Sequence, residues 1–116
     1  MIFVIDDDEI MAECVARACG EDEKVRIFTN AIEAMQAMDV YLPDLIFLDI
    51  LLDGPDGFTL LNEMQSYIDM AKVPVVIVTS LSFEGEELAE YGVVGVLNKD
   101  TMKPEEIKRY VEQYSE

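Results

Sequence analysis

A chain of 116 residues, 51 % of them hydrophobic, suits one domain with a buried core; it is not a disordered acidic tail, and no apolar run approaches the roughly 20 residues needed to span a bilayer. Its 25 acids against 8 bases leave a net charge of −17, which repels nucleic acid and anionic membrane and favours cations and basic protein surfaces. Histidine is absent, so imidazole metal sites and His-dependent triads are excluded, and a metal here would be an oxygen-held Mg²⁺, Mn²⁺ or Ca²⁺.

The first apolar run, Ile2–Ile5, reads as a buried strand, and four acids follow it at once: Asp6, Asp7, Asp8 and Glu9. Such neighbours repel, and capping the next helix would account for them only if nothing else does. That helix carries Ile10, Met11, Cys14 and Ala18 on one face and stops at Gly20. Cys14 and Cys19 lie on different sides of it, so both are expected to be reduced, in keeping with a cytoplasmic protein. Met1 leads almost directly into the first strand, so no signal peptide is expected.

Val25–Phe28 is the second strand, followed by a helix with Ile32, Met35, Ala37 and Met38 facing inward and a stop at Pro43. Leu45–Leu48 is the third, before a helix faced by Phe58, Leu60, Leu61, Met64 and Ile68. Val75–Val78 is the fourth, before a short helical segment around Glu86–Tyr91 that ends at Gly92. Val94–Leu97 is the fifth, and Pro104 opens a last helix with Ile107, Tyr110, Val111 and Tyr114 inward. The strands lack alternation, as parallel strands covered on both faces do. The pattern predicts one domain over residues 1–116, an α/β doubly wound (βα)₅ flavodoxin-like fold with a parallel sheet ordered 2-1-3-4-5.

In that order strands 1 and 3 are neighbours at the switch point, where ligands bind beyond the carboxyl ends. Asp6 and Asp7 end strand 1, Asp49 ends strand 3, Thr79 ends strand 4 and Lys99 ends strand 5. Each has an ordinary explanation alone: a turn acid, a β-branched strand residue, a surface lysine. Four of five strands ending at one rim with such groups is harder to explain that way. Crowded carboxylates call for a hard divalent ion among them.

In VIDDDE, PDLIFLDILLDGPDG, PVVIVTS and GVLNKD the chain resembles the receiver domain of two-component response regulators, along essentially its whole length. The resemblance implies that Asp49 is the phosphoacceptor and that Asp6 and Asp7 bind Mg²⁺ (or Mn²⁺), Asp7 directly and Asp6 through metal-bound water. It implies a metal-binding backbone carbonyl at Leu51 and phosphoryl binding by Thr79 and Lys99. Asp8 and Glu9 match no family ligand and keep the capping role. The implied partners are a sensor histidine kinase or histidine phosphotransfer protein, with no direct nucleic acid or membrane binding and with room for a homodimer through the fourth helix, fifth strand and fifth helix. The protein would be a phosphoacceptor rather than a conventional enzyme.

Departures from the family pattern are specific. Asp53 and Asp100 stand where proline is usual, and Val96 stands where a switch aromatic is usual. The stretch from Thr79 to Lys99 is about two residues short, so its helix should be short or irregular. In the family the positions of Leu51 and Leu81 flank the approach of a hydrolytic water, so the resemblance implies that these apolar residues slow dephosphorylation. Two rivals are a haloacid-dehalogenase-type phosphatase, which needs an Asp at the Leu51 position, and a degenerate receiver acting as a phosphorylation-independent interaction module. Nucleotide binding lacks both G-x-G-x-x-G and a Walker lysine loop.

Overall fold

The computed structural model describes residues 1–52, 54, 56–81 and 85–115. In chain order the elements are β1 (Ile2–Ile5), α1 (Glu9–Cys19), β2 (Val25–Phe28), α2 (Ala31–Met38), β3 (Leu45–Leu48), α3 (Gly57–Gln65), β4 (Val75–Thr79), β5 (Val93–Asn98) and α4 (Pro104–Tyr114). Two 3₁₀ segments, Met70–Lys72 and Gly85–Tyr91, complete the chain. All strands pair in parallel in the order β2-β1-β3-β4-β5, the expected flavodoxin-like sheet. The fourth helical segment is 3₁₀ rather than α. Gly92 turns the chain at φ +79° directly after it, leaving a connection that suits tighter winding.

Alternate residues of each central strand feed two cores. Phe3, Ile5, Ile46, Leu48 and Ile77 pack toward α2 and α3, while Ile2, Val4, Phe47, Val76 and Val78 pack toward α1 and α4. The edge strand β2 departs from the doubly covered pattern, with Arg26 and Ile27 exposed.

Helix starts follow local chemistry. Asp8 caps α1, accepting from the Ile10 and Met11 N–H groups at 3.1 and 3.2 Å, and Glu9 adds an acid to the first turn. Asn30 and Asp56 cap α2 and α3, each accepting from an N–H three residues on, at 2.9 Å. Pro104 opens α4, and Glu106 Oε1 reaches back to the Lys103 N–H at 3.0 Å.

The expected helix faces need correction. α1 buries Ala12, Val15 and Cys19, whereas Ile10 is 78 % exposed, Cys14 is exposed, and Met11 and Ala18 are half-buried. α2 turns Ala31, Ala34 and Met38 inward and leaves Ile32 outside. In α3 Leu60, Leu61 and Met64 are buried as expected, but Phe58 and Ile68 are not, Ile68 lying beyond the helix end at Gln65. Ile107 and Val111 of α4 are buried, with Tyr110 and Tyr114 half-buried beside them. Small residues let a helix approach the sheet closely, and the large residues nearby mark a different face. Cys14 and Cys19 are both free, on different sides of α1. Burial pushes the Cys19 thiol up to about 12, which keeps it protonated and inert at neutral pH. No helix among the described residues is long and apolar enough to cross a membrane.

Candidate functional site

Backbone pairing runs one residue past the strand ends. The Asp6 N–H donates to the Phe28 carbonyl at 3.0 Å and the Asp49 N–H to the Ile5 carbonyl at 2.9 Å, so the sheet itself sets these aspartates side by side. Both are buried, 2 % and 4 % exposed, in a fold where a buried carboxylate needs a partner. Asp7 stands next to them at the surface, and one oxygen from each of Asp6, Asp7 and Asp49 lies within 4.8 Å of the others.

Four strands leave the sheet by the same turn, in which a side-chain oxygen accepts the N–H two residues on. Asp6 Oδ1 accepts from Asp8 at 2.9 Å, Asp49 Oδ1 from Leu51 at 3.1 Å, Thr79 Oγ1 from Leu81 at 3.3 Å and Asn98 Oδ1 from Asp100 at 2.8 Å. Each turn holds one polar atom in place, and in Asp6 and Asp49 it leaves the second carboxylate oxygen to Lys99.

Lys99 closes the pocket. Its Nζ lies 2.9 Å from Asp6 Oδ2 and 2.9 Å from Asp49 Oδ2, and its side chain is largely buried. Its backbone N–H donates to the Thr79 carbonyl at 3.0 Å, tying β5 to the end of β4. Burial alone would lower the lysine's pKa, but hydrogen bonds and charges from Asp6 and Asp49 outweigh it and raise it. Burial raises the pKa of Asp6, and Lys99 only partly offsets this. Asp100 in place of proline leaves Lys99 well aimed because Asn98 fixes this turn, its carbonyl also accepting from Thr101 and Met102 at 3.2 and 2.8 Å.

Of the residues singled out from the sequence, Asp6, Asp7 and Asp49 come together with Lys99. Thr79 is fully buried at the end of β4. Leu51 and Leu81 are exposed, 51 % and 41 %, on the turns that leave β3 and β4. Val96 pairs with Ile77 and packs, half-buried, against the α2–α3 core. Asp53 lies outside the described residues. Two residues were missed. Asn98 was readable as a turn former in LNKD, and Gly57 as the glycine of PDG. A Cβ on Gly57 would stand 2.7 Å from Ile50 Cα and 2.8 Å from the Asp49 carbonyl oxygen.

Sheet order and rim chemistry define a flavodoxin-like α/β protein with an acidic pocket at its switch point. The family model described as the response regulator receiver domain matches residues 2–112, and the chain belongs to that family, whose members act in two-component signalling. It is similar to the receiver domain of NtrX from Brucella abortus, at 27 % identity and TM-score 0.81 over 97 % of this chain and 96 % of that one. It is also similar to the BeF3-activated N-terminal receiver domain of RstA from Klebsiella pneumoniae, at 26 % identity and TM-score 0.79 over 97 % and 96 % of the two chains. A protein-glutamate methylesterase/protein-glutamine glutaminase of Caldanaerobacter subterraneus is 32 % identical over 105 residues, which are 84 % of this chain and 28 % of that protein. The chain spans about half the length, or less, of the curated relatives it matches.

Proposed function

We propose that this chain takes a phosphoryl group onto Asp49 from the phosphohistidine of a sensor histidine kinase or histidine phosphotransfer protein, with Mg²⁺ or Mn²⁺ in the acid pocket, and signals by a conformational change. The observation that carries this reading is one ammonium bridging two buried aspartates with a third carboxylate beside them. Burial raises the pKa of Asp6, Lys99 offsets this only in part, and the charge of Asp49 beside it adds to the rise. The donor set is all oxygen, and its spacing suits a hard cation with ligands at roughly 2.0–2.6 Å. Asp7, Asp6 and Asp49 would hold the ion, with the Leu51 carbonyl completing the protein's share. When bound, the ion neutralises charge between the acceptor and the incoming phosphoryl group.

The chain's own groups do the rest. Asp49 supplies the carboxylate oxygen that forms the O–P bond as the P–N bond to the donor imidazole breaks in line, the electron pair leaving with that ring nitrogen. Lys99, already at Asp49, pairs with a phosphoryl oxygen as charge develops. The Thr79 hydroxyl accepts the Leu81 N–H, so its own proton is available to another phosphoryl oxygen. With Val96 in place of a ring, the signal leaves through Thr79 and the Gly85–Tyr91 segment, or through partner contact at the pocket face.

The deciding experiment is incubation with acetyl phosphate across a Mg²⁺ titration, read by intact mass. One phosphoryl increment is expected, dependent on Mg²⁺, with Asp7→Ala weakening the ion's apparent affinity about 10-fold or more. Labelling indifferent to chelator and to Asp7→Ala would overturn the metal assignment. No labelling at all would favour the phosphorylation-independent module.

The phosphoryl group should also be long-lived. Leu51 and Leu81 present apolar surface beside the path of a water attacking opposite the Asp49 oxygen, and neither can orient it. A positioned water is worth on the order of 1–3 kcal/mol of barrier, so Leu51→Asn with Leu81→Glu should speed decay about 10-fold or more. Fast decay in the parent, or decay unmoved by the pair, removes the argument.

A further inference from the structure

At the end of the sheet opposite the acid pocket, the loop after α2 and the segment after α3 flank a groove of about 840 Å³. Its walls are Val40, Tyr41, Tyr67 and Ile68, of which Val40 is 88 % and Ile68 79 % exposed. Asp39 and Asp69 stand in the same lining, which contains no lysine or arginine. Neither core of the domain makes use of these four apolar side chains. Contiguous apolar surface of this kind on a small domain marks a contact site.

We infer that this groove docks the apolar face of a basic amphipathic helix from a partner protein. A small molecule fits poorly, because ridges as exposed as Val40 and Ile68 would leave it open to water, whereas a helix laid across them covers the ridges as well as the trough. The charge sets the partner's sign. Two acids stand in the lining of a domain carrying −17, so lysines and arginines beside the apolar stripe are attracted. A second copy of this chain would bring the same −17 to this acidic lining, which disfavours it as the occupant of the groove. The site is far from Asp49 and independent of the phosphoacceptor reading, since strand β3 separates the Asp44–Leu45 junction from the pocket.

The test uses a fluorescent 20-residue helical peptide with leucines on one face and lysines on the other, beside the same peptide with glutamates for lysines. The lysine peptide should bind the full chain, and the glutamate peptide should not. Val40→Ser with Ile68→Ser leaves the charge unchanged and should weaken binding about 10-fold or more, while Asp39→Lys with Asp69→Lys should do the same through charge. Amide shifts on binding should gather at residues 38–42 and 66–70. Binding unmoved by the serine pair would be non-specific attraction to an acidic protein and would overturn the proposal. So would shifts centred elsewhere, or a concentration-dependent dimer that the serine pair abolishes, which would make the groove a self-association surface.

Discussion

Asp49→Asn should reduce the phosphoryl mass increment from acetyl phosphate to background, a loss of about 100-fold or more, without unfolding the domain. Asparagine has the same shape. Its carbonyl oxygen can take either contact that Asp49 now makes, with the Lys99 ammonium at 2.9 Å or the Leu51 N–H at 3.1 Å. The change removes one carboxylate charge from a pocket holding three acids, so the melting temperature of the metal-free protein should stay level or rise. Holding stability while losing labelling separates chemistry from fold. Labelling that persists at one site in Asp49→Asn, located by fragmentation to Asp6 or Asp7, would move the acceptor to another strand-end acid.

The pocket was legible because it is built from strand ends, and strand ends are the feature that sequence pattern defines best. Ile2–Ile5 and Leu45–Leu48 are short, wholly apolar and bounded by aspartate, so the order 2-1-3-4-5 was enough to bring Asp6 and Asp49 together. The division of the four opening acids was legible too, with Asp8 capping α1 and Asp6 in the pocket. Helix faces were harder to read. Ile10 and Ile32 are the most apolar residues of their first turns, yet both face water, while Ala12, Ala31 and Ala34 lie against the sheet. Hydropathy ranks the size of the reward for burial, but close helix–sheet approach is decided by volume.

Asn98 is readable as a turn former, but its bearing on the pocket is not, for a related reason. Its side-chain oxygen accepts from the Asp100 N–H, so its effect is carried by a turn that stands where the family has proline. Sequence comparison flags that position as a loss, whereas the hydrogen bond from Asp100 and the two to the Asn98 carbonyl supply another way to hold Lys99. The same logic applies to Val96, whose side chain is packed against the core and offers no ring to swing.

Gly57→Ala should both destabilise the domain and slow phosphorylation, because Gly57 is where α3 touches the backbone of Asp49, the proposed acceptor. Its N–H donates to the Ile50 carbonyl at 2.9 Å, and an added Cβ would meet Ile50 Cα at 2.7 Å, the Asp49 carbonyl oxygen at 2.8 Å and Ile50 Cδ1 at 3.0 Å. Two of these three are main-chain atoms in the segment leaving β3, which cannot step aside as a side-chain tip can. Alanine brings a helix-propensity gain and a less flexible unfolded chain, together about 1–2 kcal/mol at most. Overpacking against backbone costs about 3 kcal/mol or more, so a net loss near 2 kcal/mol and a melting temperature lower by about 8 °C are expected. The helix must withdraw or the Asp49–Ile50 peptide must shift, and a displacement of a few tenths of an ångström at a nucleophile should slow labelling about 10-fold. Gly95→Ala is the matched control. There the Cβ meets the ring end of Tyr110, a side chain in the other core that can turn outward, so stability should fall while the labelling rate holds. If Gly57→Ala labels at the parent rate, or if Gly95→Ala slows labelling as much, then contact with the acceptor's backbone is not what makes glycine necessary at the start of α3.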